Sequence, residues 1–150
     1  MPARRGQLDE VDRGPAAASG APPDARGGGR TCVVIVDDAA SCRRALRELL
    51  ERRGYRVVGE ADCVATAIGL VERLSPDAVL LDVHLPDGNG FALAARLGHT
   101  HPEVAVLLTS VDFESSFYAR ADLSGARGFV PKGQLAEAEL VMFWPPAPIT

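Results

Sequence analysis

Lysine is almost absent from this sequence. Of the 16 basic residues, 15 are arginine and only one, Lys132, is lysine. The 20 acidic residues outnumber the basic ones, and the net charge is −4. Proteins that bind duplex DNA through its phosphates usually carry a basic excess. The charge balance therefore argues against direct nucleic acid binding, and it draws attention to the single lysine.

Cysteine is also scarce. Cys32, Cys42 and Cys63 are widely spaced, form no CxxC pair and have no clustered histidines beside them. This spacing argues against a disulfide framework and against a zinc site. Reduced thiols of this kind are typical of cytoplasmic proteins.

Long apolar runs are missing as well. No segment approaches the roughly 20 apolar residues of a membrane span. The N-terminal arginines, Arg4 and Arg5, are not followed by the apolar stretch of a signal peptide. We therefore expect a cytoplasmic protein that makes no membrane contact.

The composition divides the 150-residue chain into three parts. Residues 1–30 are rich in Gly, Pro, Ala and Arg, lack any periodicity, and are expected to form a disordered N-terminal extension. Residues 31–142 have the apolar patterning of one folded domain. Residues 143–150 are expected to form an irregular tail, because Pro145 and Pro146 cannot continue a helix.

The folded part alternates between two patterns. Short runs rich in β-branched residues, typical of strands buried on both faces, alternate with segments of helical periodicity. The predicted strands are 32–36, 55–60, 78–83, 104–108 and 128–130. The predicted helices are 41–53, 63–74, 91–97, 112–123 and a short 134–142. This alternation predicts an α/β fold with a parallel sheet covered by helices on both faces.

Polar residues lie at the carboxyl ends of four of these strands, where parallel sheets bind their ligands. Asp37 and Asp38 follow the first strand, Asp82 lies near the end of the third, Thr109 ends the fourth, and Lys132 follows the fifth. We expect these side chains to meet at one edge of the sheet.

This set of residues suits phosphoryl transfer to a carboxylate. Converging aspartates repel one another, and a hard divalent cation such as Mg²⁺ relieves that repulsion. One carboxylate can then act as the nucleophile, and Asp82 is the best candidate because it lies in a rigid central strand. Lys132 would supply a compact positive charge to the phosphoryl oxygens, and Thr109 a hydroxyl.

Four segments together resemble the response regulator receiver family, the CheY-like domains. They are VVIVDD (33–38), LLDVHLPDGNG (80–90), LLTS (107–110) and GARGFVPK (125–132). The sequence of the last segment is most similar to that of receivers in LuxR/NarL-type regulators. The resemblance implies a flavodoxin-like (βα)5 fold, doubly wound, with strand order 2-1-3-4-5. It further implies a bacterial two-component system in which a sensor histidine kinase donates the phosphoryl group.

The resemblance also implies roles for individual residues. Asp82 would be the phosphoacceptor and Lys132 the phosphate-binding lysine. Asp38 would bind Mg²⁺ directly and Asp37 mainly through water, with the backbone carbonyl of His84 as a further ligand.

A conformational switch is implied in addition, in which Thr109 and Phe129 would shift an equilibrium between inactive and active states. Such a domain catalyses its own phosphorylation and dephosphorylation only, and is not an enzyme in the turnover sense.

Two other hypotheses remain open. A pseudo-receiver would use the same fold as an interaction domain without phosphorylation, but it usually lacks the acidic pair, the aspartate or the lysine. A dehalogenase-like enzyme using Asp82 needs an acidic residue two positions later, where this sequence has His84.

The C-terminal end departs from the family pattern. The predicted last helix is short, and Met142, Phe143 and Trp144 either cap the core or form a partner surface. No helix-turn-helix output module follows, which fits a stand-alone receiver or one that has lost its output domain. The downstream target and any homodimer partner are left open by the sequence.

Overall fold

A computed structural model describes residues 30–145 of the chain. The predicted extension, except for Arg30, and the tail beyond Pro145 lie outside the described residues. The strands are β1 (Cys32–Val36), β2 (Arg56–Ala61), β3 (Ala78–Asp82), β4 (His84–Leu85), β5 (Gly88–Asn89), β6 (Ala105–Ser110) and β7 (Gly128–Pro131). The helices are α1 (Ala40–Arg52), α2 (Val64–Leu74), α3 (Gly90–Thr100) and α4 (Ser116–Leu123). Among these helices, none has the length and apolar character needed to cross a membrane.

Five strands form one parallel sheet in the order β2-β1-β3-β6-β7. Renumbered along the chain, this is the predicted order 2-1-3-4-5, so the doubly wound fold is confirmed. Every residue of β1, β3 and β6 is buried, which explains why their sequences are continuously apolar rather than alternating.

Two apolar cores lie on opposite faces of the sheet. One is formed with α2, α3 and α4, and includes Leu70, Phe91 and Phe117. The other is formed with Leu46 and Leu50 of α1 and with side chains of the C-terminal segment. Each central strand therefore contributes alternate residues to both cores, so the sheet is anchored from both sides.

Between β3 and α3, where the sequence pattern indicated no strand, β4 and β5 form a small antiparallel hairpin. Side chains of the hairpin form hydrogen bonds to the first residues of α2 and α3. The Asp87 carboxylate accepts hydrogen bonds from the N–H groups of Val64 and Ala65 at the start of α2, at 2.7 and 3.1 Å. These donors hold the pKa of Asp87 below its usual value. The Asn89 side chain caps α3 by accepting from the N–H of Ala92 at 2.8 Å.

The predicted last helix, 134–142, is wrong. Two 3-10 segments, Lys132–Glu137 and Leu140–Met142, occupy this part of the chain, and Ala138 between them is extended. The guanidinium of Arg53, beyond the end of α1, donates to the carbonyls of Ala136 and Ala138 at 3.1 and 2.6 Å. A side chain distant in sequence thus satisfies carbonyls that a continuous α-helix would have bonded internally.

Trp144 caps the core beneath these 3-10 segments, as one of the two alternatives for the apolar chain end predicts for this residue. Its indole is buried and meets the Tyr55 ring edge-on at 5.3 Å between centroids. The Thr31 hydroxyl donates to the carbonyl of Pro145 at 2.9 Å, so this end of the described chain is fastened beside the start of β1. Met142, in contrast, is 76% exposed.

Candidate functional site

The sheet register brings the polar strand ends to one edge. Asp82 lies opposite Thr109 across β3 and β6, and Ser110 lies opposite Pro131, the residue before Lys132. On the other side of β3, Val36 pairs with Leu81, so Asp37 emerges next to Asp82. Parallel strands necessarily expose their carboxyl ends at the same edge, which is why residues up to about a hundred positions apart meet here.

Lys132 lies at the centre of this group. Its Nζ is 2.5 Å from Oδ2 of Asp37 and 3.1 Å from Oδ2 of Asp82. Burial by itself lowers the pKa of Lys132, but the two carboxylates outweigh that effect and hold its pKa above the usual lysine value. The lysine is therefore a permanent cation that bridges two buried carboxylates.

Asp82 is buried, and its backbone is tightly enclosed. The N–H of His84 donates to Oδ1 at 3.2 Å. Burial raises the pKa of Asp82, while Lys132 opposes this change. A Cβ on Gly90 would lie only 2.5 Å from the Asp82 carbonyl oxygen, so only glycine allows the chain to pass this close. The N–H of Gly90 donates to the Val83 carbonyl at 2.7 Å, which holds the loop against the end of β3.

The three carboxylates of Asp37, Asp38 and Asp82 could hold a cation together. Each offers an oxygen, and these oxygens lie within 4.8 Å of one another. Asp37 is buried, and its Oδ1 also accepts from the N–H of Ala39 at 2.9 Å; Asp38 is exposed to solvent. A set of oxygen ligands that is accessible from one side suits a hard divalent ion such as Mg²⁺.

Thr109 has a buried hydroxyl beside Asp82. The residue is 1% exposed, and within residues 30–145 its Oγ1 has no hydrogen-bond partner. A buried hydroxyl without a partner has a free-energy cost. This orphaned group is therefore suited to bind a polar ligand at the same strand end.

An open cavity of about 430 Å³ gives access to this group of residues. His84 lies at its exposed mouth, with Nε2 3.6 Å from Oδ2 of Asp112. The Cys42 Sγ is 3.7 Å from Nζ of Lys132. Val111 and Asp112 also line the cavity, and sequence reasoning missed them because nothing local marks them.

Phe129 does not line that cavity. It is buried among aromatic rings, edge-on to Phe117 at 5.3 Å and to Tyr118 at 5.6 Å. Its strand nevertheless leads directly to Lys132, three residues later. The switch role of Phe129 therefore stays a prediction.

Comparison with known sequences identifies the family. The sequence model of the response regulator receiver domain matches residues 33–142. The chain is 39% identical over 100 residues to a putative transcriptional regulator of Pseudomonas aeruginosa, covering 67% of this chain and 48% of that protein. It is 31% identical over 100 residues to the chemotaxis protein CheY of Thermotoga maritima, covering 67% of this chain and 83% of CheY.

Solved structures agree with this assignment. A LuxR-family two-component response regulator from Aurantimonas sp. SI85-9A1 superposes with a TM-score of 0.69 at 32% identity, covering 75% of this chain and 80% of that one. The receiver domain of the putative response regulator NarL from Mycobacterium tuberculosis superposes with a TM-score of 0.66 at 33% identity, covering 72% and 88%.

The fold is that of a doubly wound α/β protein, and its acidic pocket lies at the carboxyl ends of the strands. The chain belongs to the response regulator receiver domain family of bacterial two-component systems. Receiver domains accept phosphate from histidine kinases and bind Mg²⁺ at an acidic pocket. The chain spans about half the length (48%) of the first curated relatives that it matches.

Proposed function

We propose that this domain accepts a phosphoryl group on Asp82 in a Mg²⁺-dependent reaction. The observation that carries the proposal is the position of Lys132, whose ammonium bridges Asp37 and Asp82 beside the third carboxylate, Asp38. A nucleophilic carboxylate, a partly buried cation and an oxygen-rich cation site are the components that phosphoryl transfer requires.

Mg²⁺ would be held by Asp37, Asp38 and Asp82, with the backbone carbonyl of His84 as a further ligand. When bound, the ion supplies positive charge that neutralises the phosphoryl oxygens during transfer. The aspartate side chains provide only oxygen ligands, which is the donor chemistry that Mg²⁺ prefers.

In the transfer step, the Asp82 carboxylate attacks phosphorus of the donor, which is a phosphohistidine of a sensor kinase. The new O–P bond forms an acyl phosphate while the P–N bond breaks, and the leaving imidazole keeps the electron pair and takes a proton. Lys132 is displaced from its pairing with Asp82 toward a phosphoryl oxygen, where its compact charge offsets the added negative charge. The Thr109 hydroxyl donates to another phosphoryl oxygen and thereby gains a partner that it lacks among residues 30–145.

We further propose that this contact of Thr109 drives an equilibrium between inactive and active states in which Phe129 changes its packing. The domain at 31–142 would then report its phosphorylation to a downstream protein or to a second copy of the chain. A cytoplasmic location is consistent with this role.

The test is incubation with acetyl phosphate and Mg²⁺, followed by intact-protein mass spectrometry. We expect the mass of one phosphoryl group to be gained by the wild-type protein and not by Asp82→Asn. Removal of Mg²⁺ with EDTA should also abolish the gain. Folded wild-type protein that gains no mass under these conditions would contradict the proposal and favour a pseudo-receiver.

A second prediction concerns Thr109→Val, which keeps the shape of the side chain but removes the orphaned hydroxyl. We expect the unphosphorylated protein to become more stable by about 1 kcal/mol, because a buried polar group without a partner is removed. The phosphorylated form should lose stability relative to wild type, since its phosphoryl group loses a donor. Urea unfolding before and after treatment with beryllofluoride, a phosphoryl analogue, measures both. Equal effects in the two states would count against this role of Thr109.

Two specific observations disfavour the alternatives. A pseudo-receiver does not need the largely desolvated pair of Lys132 and the buried Asp82, which is costly to maintain without a function. For a dehalogenase-like enzyme, the residue that would serve as general acid is His84, whose side chain is 60% exposed at the cavity mouth and faces Asp112.

A further inference from the structure

Arg43 of α1 contacts the backbone of the acidic pair. Its Nη1 donates to the main-chain carbonyl of Asp37 at 2.6 Å, and its Nε donates to Oε1 of Glu60 at 3.1 Å. The side chain is only 19% exposed. One guanidinium thus joins the end of β1 to the end of β2, directly behind the acidic pair.

The carbonyl that Arg43 binds belongs to the peptide group between Asp37 and Asp38. Because a peptide group is planar, fixing its carbonyl fixes the orientation of the whole group. The preceding N–H of Asp37 is already held by the Ala61 carbonyl at 3.0 Å. Arg43 therefore completes the restraint of the backbone at the point where the two acidic side chains diverge.

Asp38 depends most on this restraint. The Asp37 carboxylate is held in place by Lys132 and by the N–H of Ala39. The Asp38 carboxylate is exposed and, across the described residues, makes no hydrogen bond or ion pair. Its location is therefore set by the backbone alone, and the backbone is oriented by Arg43.

We infer that Arg43 is a positioning residue for divalent cation binding, acting through the Asp37 carbonyl on the placement of Asp38. The inference rests on the proposed function, because it assumes that the acidic pair binds Mg²⁺. Groups that orient metal ligands without touching the metal typically contribute substantially to affinity.

Arg47 offers a matched control one helical turn further along α1. Its Nε donates to Oε2 of the same Glu60 at 2.7 Å, but it does not contact Asp37. Arg43→Met and Arg47→Met each remove one cation and one bond to Glu60, and each keeps an apolar side-chain stem. Only the first variant releases the Asp37 carbonyl.

The experiment is calorimetric titration of the unphosphorylated protein with Mg²⁺. We expect Arg43→Met to raise the Mg²⁺ dissociation constant about tenfold, the lower end of such positioning effects. Arg47→Met should keep the wild-type constant, although urea unfolding should show both variants destabilised to a similar degree. Arg43→Lys can still donate to the carbonyl, but it lacks the planar guanidinium that bonds Asp37 and Glu60 together, and it should give an intermediate constant.

Equal weakening by Arg43→Met and Arg47→Met would overturn the inference, since loss of charge would then explain the effect. Wild-type affinity in Arg43→Met, or in Arg43→Ala if the first variant does not fold, would overturn it as well, because neither variant can donate to the Asp37 carbonyl. A wild-type protein that binds no Mg²⁺ would instead refute the proposed function, and the inference with it.

Discussion

Replacing the single lysine, Lys132→Met, is expected to slow phosphorylation by acetyl phosphate at least about 100-fold, the typical cost of removing one preorganised group that stabilises transition-state charge. The ammonium of Lys132 contacts the Asp82 carboxylate directly, at 3.1 Å. No arginine of the described chain shares this contact, so no neighbouring cation replaces it. The rate is measured by intact mass over time at saturating Mg²⁺.

The same variant should lose stability in the absence of Mg²⁺. Asp37 and Asp82 would remain buried with like charges and no bridging cation, a change that typically costs about 3 kcal/mol or more. Added Mg²⁺ should restore part of this loss because it binds the same carboxylates. Urea unfolding in EDTA and in Mg²⁺ provides the measurement.

Two control variants distinguish loss of the Lys132 contact with Asp82 from loss of a positive charge in general. Arg127→Met removes an exposed cation and should change stability by no more than about 0.5 kcal/mol, with an unchanged phosphorylation rate. Lys132→Arg keeps the charge but replaces a compact ammonium with a planar fork, and should recover only part of the rate. A wild-type rate in Lys132→Met would be incompatible with its proposed role.

The second large effect is expected from Trp144→Ala, which should destabilise the fold by about 3–5 kcal/mol, as is typical when a fully buried large side chain is truncated. The indole is 2% exposed and packs edge-on against Tyr55. It covers the core below the two 3-10 segments, which stand where a last α-helix was predicted. Unfolding must be followed by circular dichroism, because the variant lacks the only tryptophan.

Replacing Trp144 with phenylalanine should reduce the stability much less than replacing it with alanine. The Trp144 Nε1 is buried, and within residues 30–145 it has no hydrogen-bond partner. Trp144→Phe keeps most of the apolar contact and removes this orphaned donor, so we expect a loss below about 1.5 kcal/mol. Met142→Ala, at an exposed position, should cost no more than about 0.5 kcal/mol. If Trp144→Ala were as mild as Met142→Ala, the capping role of Trp144 would be wrong.

Much of the fold could be predicted because its signals are local. The continuous apolar runs of β1 and β3 show in the sequence that both faces of these strands are buried. The position of Asp82 in such a run marks it as functional, since an isolated buried charge is costly. The hairpin of β4 and β5 was missed because two-residue strands show no periodicity.

Two features could not be predicted because they depend on contacts between residues far apart in the sequence. They are the conformation of the C-terminal segment and the contact that Arg43 makes. Residues 134–142 have a composition compatible with a helix, but the Arg53 guanidinium binds the carbonyls of Ala136 and Ala138, more than 80 positions away. Likewise, 15 arginines look alike in the sequence, and only the bond from Arg43 to the Asp37 carbonyl distinguishes this one.

The sequence by itself determined the alternating α/β fold, the strand order through a family resemblance, and the candidate residues Asp37, Asp38, Asp82, Thr109 and Lys132. These follow from periodicity and from polar residues placed at strand ends, which are properties of short segments. The tertiary structure alone decided that Lys132 bridges two carboxylates, that the Thr109 hydroxyl has no partner within residues 30–145, and that Trp144 closes the core. Those facts depend on distances between side chains far apart in the chain, and such distances exist only once the sheet has assembled.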